Sequence, residues 1–216
     1  MRYHLVAAVF HAAFRLYFGR RLRIRGLENL PEGGGVFVAC NHLSNLDPLI
    51  IGAFFPRTLF AMAKRELFRN RFVAWMLRGC NVVPVDRGAA DRGALRAALG
   101  ILGNDGWLMM FIEGTRSSNP GMARAESGIG FLQRRSGAAV LPVAIWGTDV
   151  ALGRGRHRLR RADITVSIGH PFTPTAAGGR GGDQEIADGV ARAVAALLPV
   201  GYRGAYASAE VSAQAD

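Results

Sequence analysis

The chain has 216 residues, half of them hydrophobic, and a formal net charge of +11 carried by arginine, with Lys64 the one lysine. That length fits one domain with a sizeable core, and that hydrophobic content excludes a disordered chain. Cys40 and Cys80 are the two cysteines and lack metal-ligand spacing, which excludes a disulfide scaffold and points to reduced, buried thiols in apolar strands.

The first predicted element is a helix over residues 1–19. Its apolar run from Leu5 to Phe18 is about 14 residues, short of the roughly 20 that cross a bilayer. His4, His11 and Arg15 share one helical face. No small-residue cleavage site follows, so a signal peptide is not expected. The run reads as an amphipathic helix in a membrane interface. Arg20, Arg21, Arg23 and Arg25 follow at once and suit anionic headgroups. The alternative is a helix packed on the protein's own core.

Residues 21–25 alternate polar and apolar, as a half-buried strand does. Residues 31–35 read as a turn and Val36–Cys40 as an apolar strand. The polar stretch Asn41–Asp47 follows, and Pro48 opens a helix. Strands are predicted at Leu59–Ala63 and Asn81–Val85. Between them lies one helix over 67–78 with Phe68, Phe72, Trp75 and Met76 on one side. A helix over Asp91–Gly103 precedes a strand at Trp107–Ile112 that is apolar throughout, as expected of a strand covered on both faces. A helix at Glu126–Ser136, strands at Val140–Trp146 and Ile164–Ile168, and a helix at Gln184–Leu198 complete the pattern. Alternating strands and helices predict a single α/β domain over 20–200, with a mostly parallel central sheet flanked by helices. Residues 201–216 read as a C-terminal tail, frayed from Ala207 onward.

Four short blocks carry chemistry. In Asn41-His42-Leu43-Ser44-Asn45-Leu46-Asp47, the carboxylate can hold one ring nitrogen of His42 and leave the other free to take a proton from an alcohol. The competing role for Asp47 is a helix N-cap. In Phe111-Ile112-Glu113-Gly114-Thr115-Arg116-Ser117, Gly114 permits a sharp turn. Arg116 then offers a guanidinium suited to phosphate, with Thr115 and Ser117 as hydroxyl donors. The competing reading is a surface turn with a Glu113–Arg116 ion pair. Arg87, in Val85-Asp86-Arg87-Gly88, is a second phosphate candidate or an exposed arginine. Pro142, in the run Val140–Ile145, lacks a ladder donor and implies a sheet edge or a bulge beside the acceptor pocket.

These blocks, in this order, resemble the lysophosphatidic acid acyltransferase group of glycerolipid acyltransferases. Ala63-Lys64-Arg65-Glu66-Leu67 and the lead-in Gly26–Pro31 add to the likeness, which covers roughly residues 20–175. The resemblance implies that His42 is the general base and Asp47 its orienting partner. Arg87, Arg116 and Lys64 would bind the acceptor phosphate, while Asn41, Glu113, Gly114, Thr115 and Pro142 would shape the substrate site. It implies direct transfer from acyl-CoA or acyl carrier protein to lysophosphatidic acid, with no metal and no further cofactor. It also implies a peripheral or monotopic place on the cytoplasmic face of the cell membrane. Three positions depart from the pattern. Ile112 replaces a usual proline, Glu126 stands where lysine is common, and the N-terminal region is short, so one helix must serve as anchor, helped by Leu49–Phe55.

Other functions fit less well. Cys40 lies two residues before His42, which admits an acyl-thioenzyme. The basic run Arg154, Arg156, His157, Arg158, Arg160 and Arg161 admits a nucleic-acid partner, yet lacks interleaved aromatic residues other than His157. Near a membrane, the run suits lipid headgroups or coenzyme A phosphates. Neither a Gly-x-Ser-x-Gly elbow nor a phosphate-binding Gly-x4-Gly-Lys loop is present.

Overall fold

The structure is a computed structural model and describes residues 2–85, 92–117, 121–175 and 182–207. Its strands are β1 (Leu22–Arg25), β2 (Val36–Cys40), β3 (Leu59–Lys64), β4 (Val82–Val85), β5 (Trp107–Phe111), β6 (Ala139–Trp146) and β7 (Ile164–Ile168). Its helices are α1 (Arg2–Phe18), α2 (Asp47–Phe54), α3 (Arg71–Gly79), α4 (Arg92–Gly103), α5 (Ser127–Ser136), α6 (Thr148–Leu152) and α7 (Gly182–Ala196). The strands form one sheet in the order β1-β7-β6-β2-β5-β3-β4. Only the β6–β7 pair is antiparallel, so β1 and β7 run against the other five strands. The expected single α/β domain with a mostly parallel sheet is what forms.

β2 is central, and all five of its residues are buried. Val36, Val38 and Cys40 point into one apolar layer with Tyr3, Phe14 and Phe18 of α1 and Ile50 and Ile51 of α2. Phe37 and Ala39 point into the other layer, with Leu102 of α4, Ile129 and Leu132 of α5, and Val190 and Val194 of α7. The alternation of a strand sends neighbours to opposite faces, so a run without polar residues is what two covered faces require.

α1 is apolar on two opposite sides, which the expectation of an amphipathic helix did not foresee. Its aromatic side faces inward. Tyr3 donates to Gly52 O at 3.2 Å and accepts from Leu59 N at 3.1 Å, the His11 ring lies 4.3 Å from that of Phe54, and Tyr17 donates to Leu159 O at 3.1 Å. Leu5, Val9 and Leu16 fall on the opposite side and are exposed. Core and interface are therefore not alternatives for this helix, because one side of it is core and the other is free. Among the described residues no helix is long and apolar enough to cross a membrane.

Two further expectations are corrected, and a third is resolved between its alternatives. The helix expected over 67–78 is two elements, a 3-10 turn at Arg65–Arg69 and then α3. Asn70 separates them because its side chain accepts from Phe72 N and Val73 N and so starts a new helix. Cys80 ends α3 and is half-buried, not a strand residue. β6 is an inner strand, so Pro142 marks no edge, but it does sit at a bulge. Val143 faces Ile168, and unbroken register would set Val140 opposite Pro171, yet Val140 pairs with Phe172. One extra residue on the β7 side absorbs the donor that Pro142 lacks.

Residues 201–207 do not trail away as a tail. Tyr206 is buried, and 3-10 turns at Val200–Tyr202 and Gly204–Tyr206 pack against residues 121–125. The frayed end expected beyond them lies outside the described residues.

The two-sided character of α1 is testable by denaturant unfolding. Phe14 is 6% exposed, and Phe14→Ala is expected to cost about 3–5 kcal/mol. Leu16 is 87% exposed on the same helix, and Leu16→Ala is expected to stay within about 0.5 kcal/mol.

Candidate active site

The chain leaves β2 for α2 on one face of the sheet and leaves the adjacent β5 for α5 on the other. Such a divergence opens a crevice outside the carboxyl ends of the two strands. The His42 block and the Glu113 block are the two loops that line it.

Asp47 is fully buried at the start of α2. Its Oδ2 accepts from the Leu43 amide at 2.7 Å and the Ser44 amide at 2.7 Å, and lies 2.9 Å from His42 Nδ1. Leu46, not Asp47, holds the N-cap position, so the carboxylate serves the loop and the imidazole. A carboxylate only accepts, which places the proton of a neutral His42 on Nδ1 and leaves Nε2 with a bare lone pair. Nε2 has no hydrogen-bond partner among the described residues. The ring is stacked on Phe111, with centroids 3.9 Å apart and planes 17° off parallel. Two fixed contacts, one at the edge and one on the face, leave the imidazole a single orientation.

Glu113 fixes the backbone beneath that ring. Its Oε1 accepts from His42 N at 2.9 Å, while Oε2 accepts from Ala123 N at 2.8 Å and from the Ser117 hydroxyl. Ser117 N donates to His42 O at 3.0 Å, so both backbone polar groups of His42 are held by the second block. With both oxygens of Glu113 occupied in this way, the Glu113–Arg116 ion pair does not form. Gly114 turns the chain with φ at +65°, a conformation that disfavours any side chain, and a Cβ there would lie 3.0 Å from Glu126 Cγ, which would have to shift. The Ile112 amide donates to Cys40 O at 2.9 Å, a bond that proline at this position could not make.

The remaining expected residues divide. Arg116 is half-buried and makes no ion pair among the described residues. Lys64 is exposed at the end of β3, on the same carboxyl edge of the sheet. Thr115 is exposed beside them. Arg87 lies outside the described residues. Asn41 faces no crevice; it is buried and exchanges two 2.8 Å bonds with the backbone N–H and C=O of Ile145, extending the β2–β6 ladder after the main chain has turned away. Pro142 is opposite Ala39, within the sheet and on the α7 side, and shapes the ladder rather than the crevice. Cys40 is also unsuited to chemistry. Burial, and then the nearby charge of Asp47, push its thiol well above the ordinary range, the reverse of what a nucleophile needs.

Three supports were not foreseen. The Ser44 hydroxyl donates to Leu152 O at 2.5 Å and accepts from Leu46 N at 3.1 Å, tying the His42 loop to α6. Phe111 is the ring beneath His42; its place at the last strand residue before Glu113 was the available signal. The C-terminal turns brace the segment that feeds Glu113. Met122 N donates to Tyr202 O at 3.0 Å, Ala205 N donates to Met122 O at 2.9 Å, and Tyr206 accepts from Ala125 N at 2.9 Å while donating to Asp188 at 2.8 Å. Burial pushes the Tyr206 hydroxyl up to about 12, so it stays a donor at any working pH. No sequence signal linked residues this far apart.

Glu113→Ala would leave two amides and a hydroxyl without their acceptor. Each such group costs about 1–3 kcal/mol where water cannot reach it. A loss of at least about 2 kcal/mol in denaturant unfolding is expected, with perturbed His42 ring resonances by NMR.

The sequence pattern of the Acyltransferase family matches residues 21–146. The chain is 25% identical over 152 residues to the 1-acyl-sn-glycerol-3-phosphate acyltransferase of Bacillus subtilis, covering 70% of this chain and 73% of that one. It is 31% identical over 133 residues to the protein of the same name from Pseudomonas aeruginosa, covering 60% of this chain and 51% of that one. The crystal structure of the 1-acyl-sn-glycerophosphate (LPA) acyltransferase PlsC from Thermotoga maritima superposes with a TM-score of 0.75 at 27% identity, over 90% of this chain and 78% of that one. The family match takes in β1 through β6 and with them both loops of the crevice: the chain belongs to the Acyltransferase family.

Proposed function

We propose that the protein transfers a fatty acyl group from a thioester, acyl-CoA or acyl carrier protein, to the free hydroxyl of lysophosphatidic acid, giving phosphatidic acid at a membrane surface. The observation that carries this reading is the bare Nε2 of His42, with Nδ1 tied to a buried carboxylate, at the carboxyl edge of the sheet. Nε2 takes the proton of the acceptor hydroxyl as its oxygen attacks the thioester carbonyl. The tetrahedral intermediate collapses, the C–S bond breaks, and the departing sulfur recovers the proton from His42. The Asp47 charge stabilises the imidazolium between those steps. General-base help of this kind is worth about 100- to 10,000-fold in rate.

Arg116, unpaired among the described residues and next to this histidine loop, suits the acceptor phosphate, with Lys64 and Arg87 as further cations. An apolar pocket, partly open to solvent, lies between α1, α2, α3 and the sheet, lined by Val6, Phe10, Leu49, Met76 and Val82 among others. It reaches Pro48, the residue after Asp47, and suits a hydrocarbon chain. The outer side of α1, with Leu5, Val9 and Leu16, suits a lipid interface, and the basic stretch 154–161 meets the inner side of the same helix, where Leu159 O accepts from Tyr17. Glu126 favours a second acceptor class. Its side chain packs on Gly114, so it adds a negative charge to the phosphate block and suits an acceptor bearing an amine, such as lysophosphatidylethanolamine.

Acyl transfer from palmitoyl-CoA in detergent micelles, with lysophosphatidic acid, glycerol 3-phosphate and lysophosphatidylethanolamine as acceptors, tests the reading. His42→Ala is expected to lose at least about 100-fold in kcat with lysophosphatidic acid. Wild-type turnover in that variant would refute the base. Arg116→Ala is expected to raise the acceptor KM by roughly 10- to 100-fold, the equivalent of one charge-assisted hydrogen bond. An unchanged KM would remove Arg116 from the phosphate site. Replacing Leu5, Val9 and Leu16 together by Ser should abolish sedimentation with anionic vesicles while leaving the fold intact, since all three are exposed.

A further inference from the structure

α3 turns its largest apolar side chains to the outside. Phe72 is 71% exposed and Trp75 61%. Their rings stack on each other, with centroids 6.2 Å apart and planes 29° off parallel, rather than on the protein. The side of the helix that meets the molecule is modest by comparison: Ala74 is its buried residue, and Met76 and Leu77 line the apolar cavity. Leu67, in the preceding turn, is also exposed.

The charge around the pair is one-sided. Residues 65–79 carry Arg65, Arg69, Arg71 and Arg78 against the single acid Glu66, and Arg71 and Arg78 flank Trp75 on the helix surface. An aromatic pair set among arginines matches the boundary of an anionic bilayer, where indole rings settle at headgroup level and guanidinium groups meet phosphate. Self-association fits less well. Two rings of about 150–250 Å² each fall short of the roughly 800 Å² per partner that a stable dimer buries.

We infer that α3 is a second membrane contact, inserting Phe72 and Trp75 into an anionic lipid surface. The inference rests on the reading that α1 faces lipid. The two helices border the same apolar cavity, α1 through Val6 and Phe10 and α3 through Met76 and Leu77. Lipid held by both places the cavity mouth against hydrocarbon, so that a chain moves between bilayer and enzyme without crossing water.

Tryptophan emission from the full chain tests this directly, because Trp107 is buried and Trp146 half-buried, which leaves Trp75 as the exposed indole. With phosphatidylglycerol vesicles, emission is expected to shift to the blue and to be quenched by lipids brominated on the acyl chains near the headgroup. Both effects should vanish in Trp75→Phe. Phe72→Ala with Trp75→Ala should weaken vesicle binding at least tenfold while turnover on micellar substrates stays unchanged. Sedimentation with vesicles without a shift or quench would overturn the inference and leave the α1 reading standing. Absence of sedimentation would overturn both. An emission shift that follows protein concentration without vesicles would assign the pair to self-association and overturn the inference as well.

Discussion

A buried carboxylate tied to three N–H groups governs this molecule. Asp47 sits out of water, where an uncompensated charge is costly, and Oδ2 meets the amides of Leu43 and Ser44 and the ring of His42. The two amides, with the bonds from Asp47 N to Ser44 O and from Leu46 N to the Ser44 hydroxyl, curl residues 43–47 into a tight loop at the head of α2. The third donor is the imidazole, so the loop that holds the carboxylate also orients the His42 ring. The N-terminal end of α2 contributes in the same sense, with its partial positive charge beside the carboxylate. Loop shape, charge compensation and histidine orientation are one interaction seen from three sides.

Around that core, the fold supplies rigidity from both directions along the chain. Asn41 keeps the β2–β6 ladder closed one residue beyond the strand, so His42 starts from a fixed point. Glu113 then holds the His42 amide, and Ser117 holds its carbonyl. Glu113 is itself braced by Ala123, within the segment that the C-terminal turns grip. At the grip, Gly121 and Gly204 approach so closely that a Cβ on Gly121 would fall 2.7 Å from Gly204 Cα, and one on Gly204 would fall 2.2 Å from Met122 O. The contact is backbone against backbone, which is why glycine stands on both sides of it.

The sheet and the site differed in how legible they were in the sequence. Apolar runs such as Val36–Cys40 and Trp107–Phe111 gave the strands nearly to the residue, because burial on both faces removes polar residues altogether. His42 and Asp47 were legible as a pair because only five positions separate them and a turn is all they need to meet. Glu113 was read as a floor residue, but its bond to the His42 amide spans 71 positions and carries no local mark. Asn41 looked like part of a reactive block, while its side chain takes the place of a backbone amide. α3 was misread in extent because Asn70 caps a helix from inside an otherwise continuous periodic pattern. The tail was misread because Tyr206 finds its partners, Ala125 and Asp188, far back along the chain.

α1 differs from an ordinary surface helix in having two uses for apolar residues. A helix with one apolar stripe announces its buried side by periodicity; apolar residues on two opposite sides blur that period, though each side is specific. Here the inner side is aromatic and interlocked with α2 and β3, and the outer side is aliphatic and smooth. The inner contacts order the helix before it meets any partner, so the conformational entropy of its 17 residues is already lost on folding. On the proposed reading, lipid then meets a preformed surface, and the transfer of Leu5, Val9 and Leu16 from water is not offset by the cost of forming a helix. On that reading, a single helix whose ends would fray in water is presented to lipid already formed, because the catalytic domain holds it in shape.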